Sequence, residues 1–313
     1  MTTPVAGRTT LPAWLCLAVL LLGSCADDSD EAPTPAGGEE SSSIPDAPSD
    51  SPDPSTNSDS PDPSTNSDSP DPSTNSDSPS GTYTVNGREL LLDCVGEGDT
   101  TMILEVGEGA PYQSLAAIAV TYESQMTVCA YDRASTDRNI VSDLHKLLKI
   151  AQVPGPYLLV GHSAGGLLVQ AYAAAFPAET AGVVAFNPVP AWQTWSTLGF
   201  KEMTPQERQG ETYYYAGANG ESLDYRDVSR LIGQLPVPRD IPLHVLISTV
   251  AQCDSPQDIC GRTYPAYEQI EKDVTQRWGE GRFSEVEAPH DIYTADMEAV
   301  RRAIDDVISR SQP

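Results

Sequence analysis

Gly161-His162-Ser163-Ala164-Gly165 is a Gly-x-Ser-x-Gly pentapeptide whose flanks suit the chemistry this spacing can perform. The apolar run 156–160 before it reads as a buried strand, and 166–176 after it reads as a helix stopped before Pro177. A serine on a sharp strand-to-helix turn has its hydroxyl projected above the sheet. There a neighbouring base can take its proton and make it a nucleophile. The two glycines let strand and helix approach where a Cβ would clash. A chance match in a glycine-rich turn would lack these flanks.

The elements needed to hold such a turn are present. Residues 81–313 alternate strand-like and helix-like segments, the pattern of an α/β domain with a largely parallel sheet. An opening hairpin is expected over 83–85 and 88–94, around the two-residue turn Asn86-Gly87. Strands follow at 102–106 and 127–131, with a glycine-rich loop and a helix near 112–122 between them. Ile140, Leu144, Leu147, Leu148 and Ala151 then fall at helical spacing and mark a one-faced helix. Later strands are expected at 182–186, 243–247 and 282–286, and later helices at 264–278 and along the apolar face Met297, Val300, Ile304, Val307 and Ile308. The stretch from about 188 to 240 breaks the alternation and carries Trp192, Trp195, Phe200, Tyr213, Tyr214, Tyr215 and Tyr225. It reads as a cap insertion whose aromatics line an acyl pocket or, for most of them, pack the cap onto the sheet.

The N-terminal quarter has a different composition. Arg8 precedes an apolar run over 11–22, too short to span a bilayer, which ends in Leu22-Gly23-Ser24-Cys25. Residues 1–25 therefore read as a lipoprotein-type signal, with Cys25 the lipidated N-terminus of an envelope protein outside the cytoplasm; an ordinary secretory signal is the alternative. Residues 26–80 hold no aromatic, Lys or Arg, and include three tandem copies of Ser-Pro-Asp-Pro-Ser-Thr-Asn-Ser-Asp. With no apolar position to stack, they read as a disordered linker. The chain carries a net charge of −27, and 14 of its 45 acidic residues lie in that linker. Residues 81–313 keep a net −14, which disfavours nucleic acid and anionic membrane surfaces as partners. Contact with the membrane is expected through the lipid anchor only. Cys94, Cys129, Cys253 and Cys260 remain in the folded part, an even number that favours disulfides in an exported chain. Of three possible pairings, Cys94–Cys129 with Cys253–Cys260 joins nearby elements. No Cys-x-x-Cys occurs and the four histidines are scattered, so no metal site is expected.

Over nearly all of 81–313 the chain resembles the α/β-hydrolase family, and most of all a group of exported bacterial hydrolases. The likeness is carried by Leu92-Asp93-Cys94-Val95-Gly96-Glu97-Gly98, Ile103-Leu104-Glu105-Val106-Gly107, Val128-Cys129-Ala130-Tyr131-Asp132-Arg133 and Gly155-Pro156-Tyr157-Leu158-Leu159-Val160-Gly161-His162-Ser163. It implies the α/β-hydrolase fold, a mostly parallel central sheet flanked by helices, and supports the cysteine pairing. It also implies the order Ser, then Asp or Glu, then His. Of the two histidines after Ser163, His244 lies inside an apolar strand, whereas His290 lies in Glu287-Ala288-Pro289-His290-Asp291, where the family carries its base. His145 falls on a helix, and His162 is the variable residue of the elbow. The acid belongs after the 243–247 strand, which gives Asp254, with Asp258 in the same loop as runner-up. Some family members use the end of the preceding strand, where this chain has Asn187. The oxyanion hole is expected from the backbone N–H groups of Ala164 and of Glu108, in the loop Gly107-Glu108-Gly109-Ala110, with the Glu108 side chain turned to solvent.

The expected activity is hydrolysis of a small-molecule carboxylic ester through an acyl-serine, with no cofactor and no metal. Amide or peptide hydrolysis, including aminopeptidase-like action, uses the same triad and stays open, as does a binding protein that has lost turnover.

Overall fold

The computed structural model describes residues 78–133, 139–249 and 258–311. Its hairpin forms as the turn residues require: Asn86 and Gly87 both sit at positive φ, 51° and 79°. They join β1 (Gly81–Val85) to β2 (Arg88–Val95), the antiparallel edge of an eight-stranded sheet. The other strands are β3 (Thr101–Glu105), β4 (Thr127–Tyr131), β5 (Tyr157–His162), β6 (Thr180–Phe186), β7 (Leu243–Ser248) and β8 (Gly281–Val286). The sheet order is β1-β2-β4-β3-β5-β6-β7-β8, and every pairing from β4 to β8 is parallel. Cys94 and Cys129 face each other in the β2–β4 register, and their sulfurs are bonded with the Cα atoms 4.0 Å apart.

The sheet order fixes where chemistry can occur. From β3 the chain moves to β4 on one side, then crosses to β5 on the other side of β3. The connections leaving β3 and β5 therefore run to opposite sides, and the carboxyl ends of these two strands are the switch point at which open α/β sheets place their sites. The helices that cover the sheet are α1 (Ala116–Tyr122), α2 (Ile140–Ile150), α3 (Ala164–Ala175), α7 (Ile259–Arg277), α8 (Ile292–Ala295) and α9 (Met297–Ser311). Alternation along β3 sends Ile103 into the core under α2 and α3, and Met102 and Leu104 into the core under α1 and α9. The predicted faces of α2 and α9 are the ones buried. Residues 264–278 were expected as a helix, but α7 begins five residues earlier. Asp258 captures its first turn, accepting the Gly261 N–H at 2.7 Å, and Pro265 is carried within the helix.

Between β6 and β7 the chain inserts α4 (Trp192–Leu198), α5 (Pro205–Tyr215) and α6 (Tyr225–Gln234). Most of the aromatics there pack, as expected. Trp195, Tyr215 and Tyr225 are buried, while Tyr213 is exposed. Tyr215 donates to the Pro190 carbonyl at 2.8 Å, and Tyr267 of α7 donates to the Pro188 carbonyl at 3.1 Å, so the segment leaving β6 is pinned from two sides.

Glu271 of α7 is 1% exposed, and its Oε2 has no hydrogen-bond partner among the described residues. Burial raises its pKa to about 8 against a lowering influence from Arg277. The folded state thus holds a proton that the unfolded chain has released, and stability falls as pH rises from about 4.5 to about 8. Glu271→Gln is expected to raise Tm by several degrees at pH 9 and to change it little at pH 4.5. Thermal melts across this range check the sign.

Candidate active site

Ser163 sits between β5 and α3 with φ 54° and ψ −118°, a conformation that non-glycine residues avoid at about 1–3 kcal/mol. The surroundings over-determine it. Its N–H donates to the Phe186 carbonyl at 3.1 Å, and its carbonyl accepts from Gly166 N at 2.9 Å and Val189 N at 3.0 Å. Gly161 and Gly165 are required on steric grounds. A Cβ on Gly161 would strike the Gly165 carbonyl, and one on Gly165 would strike the Glu105 carbonyl. Ala164, the first residue of α3, places an unsatisfied helix N-terminal N–H next to the serine.

The loop after β3 lies against this turn. A Cβ on Gly107 would be 3.1 Å from His162 Nδ1 and 3.3 Å from Ser163 Cβ. The loop is clamped from behind by Arg133, whose guanidinium is buried and uses all five donors. They reach Glu105 Oε1 (2.5 Å), the Val106 carbonyl (2.9 Å), the Gly107 carbonyl (3.0 Å) and both Glu221 oxygens (2.6 and 2.7 Å). Glu221 belongs to the β6–β7 insertion and also accepts the Gly109 N–H. Burial raises the Glu105 pKa, and Arg133 and the Tyr131 hydroxyl oppose that rise. The Glu108 side chain corrects the sequence reading. It does not turn to solvent but accepts hydrogen bonds from Tyr214 (2.6 Å), Tyr225 (3.0 Å) and the Gly220 N–H (2.7 Å), all in the insertion. Two tyrosine hydroxyls and an N–H oriented by the Asn219 turn compete better for this carboxylate than water does.

His290 lies between β8 and α8, and its ring centroid is 4.6 Å from that of His162, the neighbour of Ser163. Asn187 holds its backbone: Asn187 Nδ2 donates to the His290 carbonyl at 2.8 Å, and Oδ1 accepts the Ser248 N–H at 2.8 Å. Asn187 thus ties the ends of β6 and β7 to the histidine loop, and itself adopts φ 44°. Burial, and then the neighbouring His162, hold the His290 imidazole well below the ordinary histidine pKa, so it is neutral at neutral pH. His162 is buried as well, with its pKa lowered to about 4 despite Asp291 and a contact from Nε2 to the His290 carbonyl at 3.2 Å. Asp254 and Cys253 lie outside the described residues. Cys260, on α7, is disulfide-bonded. Cys25, the signal and residues 26–77 of the linker likewise lie outside the described residues. The last linker residues are described and held to β2: Ser80 Oγ accepts the Cys94 N–H at 2.8 Å and donates to the Cys94 carbonyl at 3.0 Å.

No protein-family model matches the chain. Among curated proteins it is 26% identical over 119 residues to the uncharacterized protein YqjL of Bacillus subtilis (strain 168). That match spans 34% of this chain and 47% of the relative, about half its length. Solved structures match far more of it. An α/β hydrolase fold protein from Burkholderia ambifaria covers 72% of this chain and 97% of its own, with a TM-score of 0.52 at 14% identity. An epoxide hydrolase variant from Vigna radiata covers 74% and 98%, with a TM-score of 0.53 at 13% identity. The Cif epoxide hydrolase from Acinetobacter nosocomialis covers 73% and 88%, with a TM-score of 0.51 at 14% identity. The chain has the α/β-hydrolase fold.

Away from the Ser163 turn, the fold contains a serine–histidine–aspartate chain. His244 Nδ1 is 2.9 Å from Asp306 and Nε2 is 2.7 Å from Ser284 Oγ. It lacks the setting of a nucleophile. Ser284 lies within the extended strand β8, and Asp306 is shared with Arg282 and Arg310. Among the described residues, His162, His290 and Asp291 bring ring nitrogens and a carboxylate oxygen within 4.8 Å of one another and could accept a metal ion. Sequence reasoning missed the Asn187 strut and the Arg133–Glu221 clamp. Arg133 follows β4 in Val128–Arg133 with no local partner to mark a role, and Glu221 meets it only across an 88-residue separation.

Proposed function

We propose that the chain is a serine hydrolase that cleaves carboxylic esters through an acyl-serine. The observation that carries this reading is the backbone of Ser163, held at positive φ by three hydrogen bonds at the switch point of the sheet. Ser163 Oγ attacks the ester carbonyl as its proton passes to neutral His290, and the Asp254 carboxylate stabilises the resulting imidazolium. The tetrahedral oxyanion accepts from the Ala164 and Glu108 N–H groups. The alcohol leaves with the proton, and water then releases the acid by the same route in reverse. A serine that opened an epoxide would end as an ether that water does not cleave, so acyl transfer suits this nucleophile better than the chemistry named for two of the similar structures.

Asp258 is occupied in capping α7, which supports Asp254 as the acid, with Cys253–Cys260 bracketing it. The same triad serves amides. A hydrolysis screen over p-nitrophenyl esters of varied chain length and aminoacyl amides is expected to show turnover of esters. No turnover of either class, together with no reaction of Ser163 with a fluorophosphonate, would contradict enzyme function. The reading includes a lipid anchor at Cys25. Cys25→Ser is expected to block processing or release the protein in soluble form, and a mature N-terminus without lipid would remove the anchor from this account.

A further inference from the structure

The loop expected to supply the oxyanion hole is held by the insertion as well as by the sheet. Gly107 and Glu108 share a trans peptide, in which C=O and N–H point in opposite directions. The Gly107 carbonyl accepts from Arg133 Nη2 at 3.0 Å, so the Glu108 N–H points away from the guanidinium. Gly107 lies close enough to the elbow that a Cβ there would crowd His162 Nδ1 (3.1 Å) and Ser163 Cβ (3.3 Å). A cation on the carbonyl also polarises the peptide and strengthens its N–H as a donor. Arg133 cannot hold this orientation alone, because its side chain needs opposing charge on both sides. Glu105 supplies one side from β3, and Glu221 supplies the other from the insertion. Glu221 Oε1 also takes the Gly109 N–H, and the adjacent Gly220 N–H binds the Glu108 carboxylate at 2.7 Å.

We propose that Arg133 and Glu221 are positioning residues of the oxyanion hole. The guanidinium sets the Gly107–Glu108 peptide plane, and the cap carries the carboxylate that locks the guanidinium, so the donor is complete only when the cap is seated. This rests on the serine-hydrolase reading above. It assigns the cap a part in stabilising the transition state as well as in shaping the pocket.

The test is the rate at which a fluorophosphonate labels Ser163, a reaction that builds negative charge on the phosphoryl oxygen and requires no knowledge of the substrate. Glu221→Ala is expected to slow labelling by about 10- to 100-fold, short of the loss for deleting a donor outright. With a p-nitrophenyl ester that the wild type turns over, kcat should fall by the same factor while KM stays within about threefold. Glu221→Gln, which keeps an oxygen for Gly109 N–H but loses the charge facing Arg133, should fall between. Tyr122→Phe is the control for stability: it loses bonds to Asp305 and the Arg301 carbonyl between α1 and α9 and should label at the wild-type rate. Labelling of Glu221→Ala at the wild-type rate, a loss confined to KM, or an equal loss in Tyr122→Phe would each overturn the positioning role. A wild-type protein that does not label at Ser163 would instead overturn the hydrolase reading.

Discussion

Ser163→Ala and His290→Ala are each expected to lower kcat on ester substrates by on the order of 10⁴ to 10⁶, with the fold intact. The fold should survive because both residues are held through their backbones. Ser163 is locked through its backbone, and Asn187 grips the His290 carbonyl, which alanine retains. Ser284→Ala, in the other serine–histidine–aspartate chain, is expected to leave kcat within about twofold, because triad loss applies only to a serine on the elbow. The pH profile carries a related sign. Since burial holds His290 well below the ordinary histidine range, the acid limb of kcat/KM is expected below pH 6.5. Stability should fall over the same acid range. The unfolded chain takes up protons on His162 near pH 6.5, whereas the folded chain excludes them until about pH 4. Activity and melting measured together between pH 4 and 8 separate these two effects.

Asp254→Asn is expected to reduce kcat by roughly 10⁴, because an amide in place of the carboxylate favours the wrong imidazole tautomer and cannot stabilise imidazolium. Asp258→Asn separates the two carboxylates of the loop. Its carboxylate caps α7, so the substitution should change stability by under about 1 kcal/mol, Asn being a good cap itself, and leave kcat nearly unchanged. If Asp258→Asn were the damaging change and Asp254→Asn silent, the acid would be Asp258. Steady-state kinetics on the two purified variants decides it.

Much of the fold was legible from local signals. Asn86-Gly87 marked a hairpin because both residues accept positive φ, and the apolar spacing of α2 and α9 marked the faces that are buried. The elbow was legible for the same reason: its glycines answer a close approach within five residues. The start of α7 lies before the expected Tyr264 because the Asp258 side chain caps an extra first turn. The side chain of Glu108 was misjudged because its partners, Tyr214, Gly220 and Tyr225, lie more than 100 residues away and meet it only once the insertion folds back. The Arg133 clamp was unreadable on the same ground, since nothing local says that Glu221 returns to it. Asn187 was weighed as a possible orienter of the base. In the structure it is a strut for the backbone of His290.

The central claim is that Ser163 carries the acyl group during turnover. Mixing the protein with a slowly deacylated p-nitrophenyl ester, quenching in acid during the burst and mapping the peptides by mass spectrometry tests it directly. One acyl group per chain is expected, on the peptide bearing Ser163, and is lost in Ser163→Ala. Turnover without an adduct at Ser163, or an acyl group on Ser284 that persists in Ser163→Ala, would contradict it.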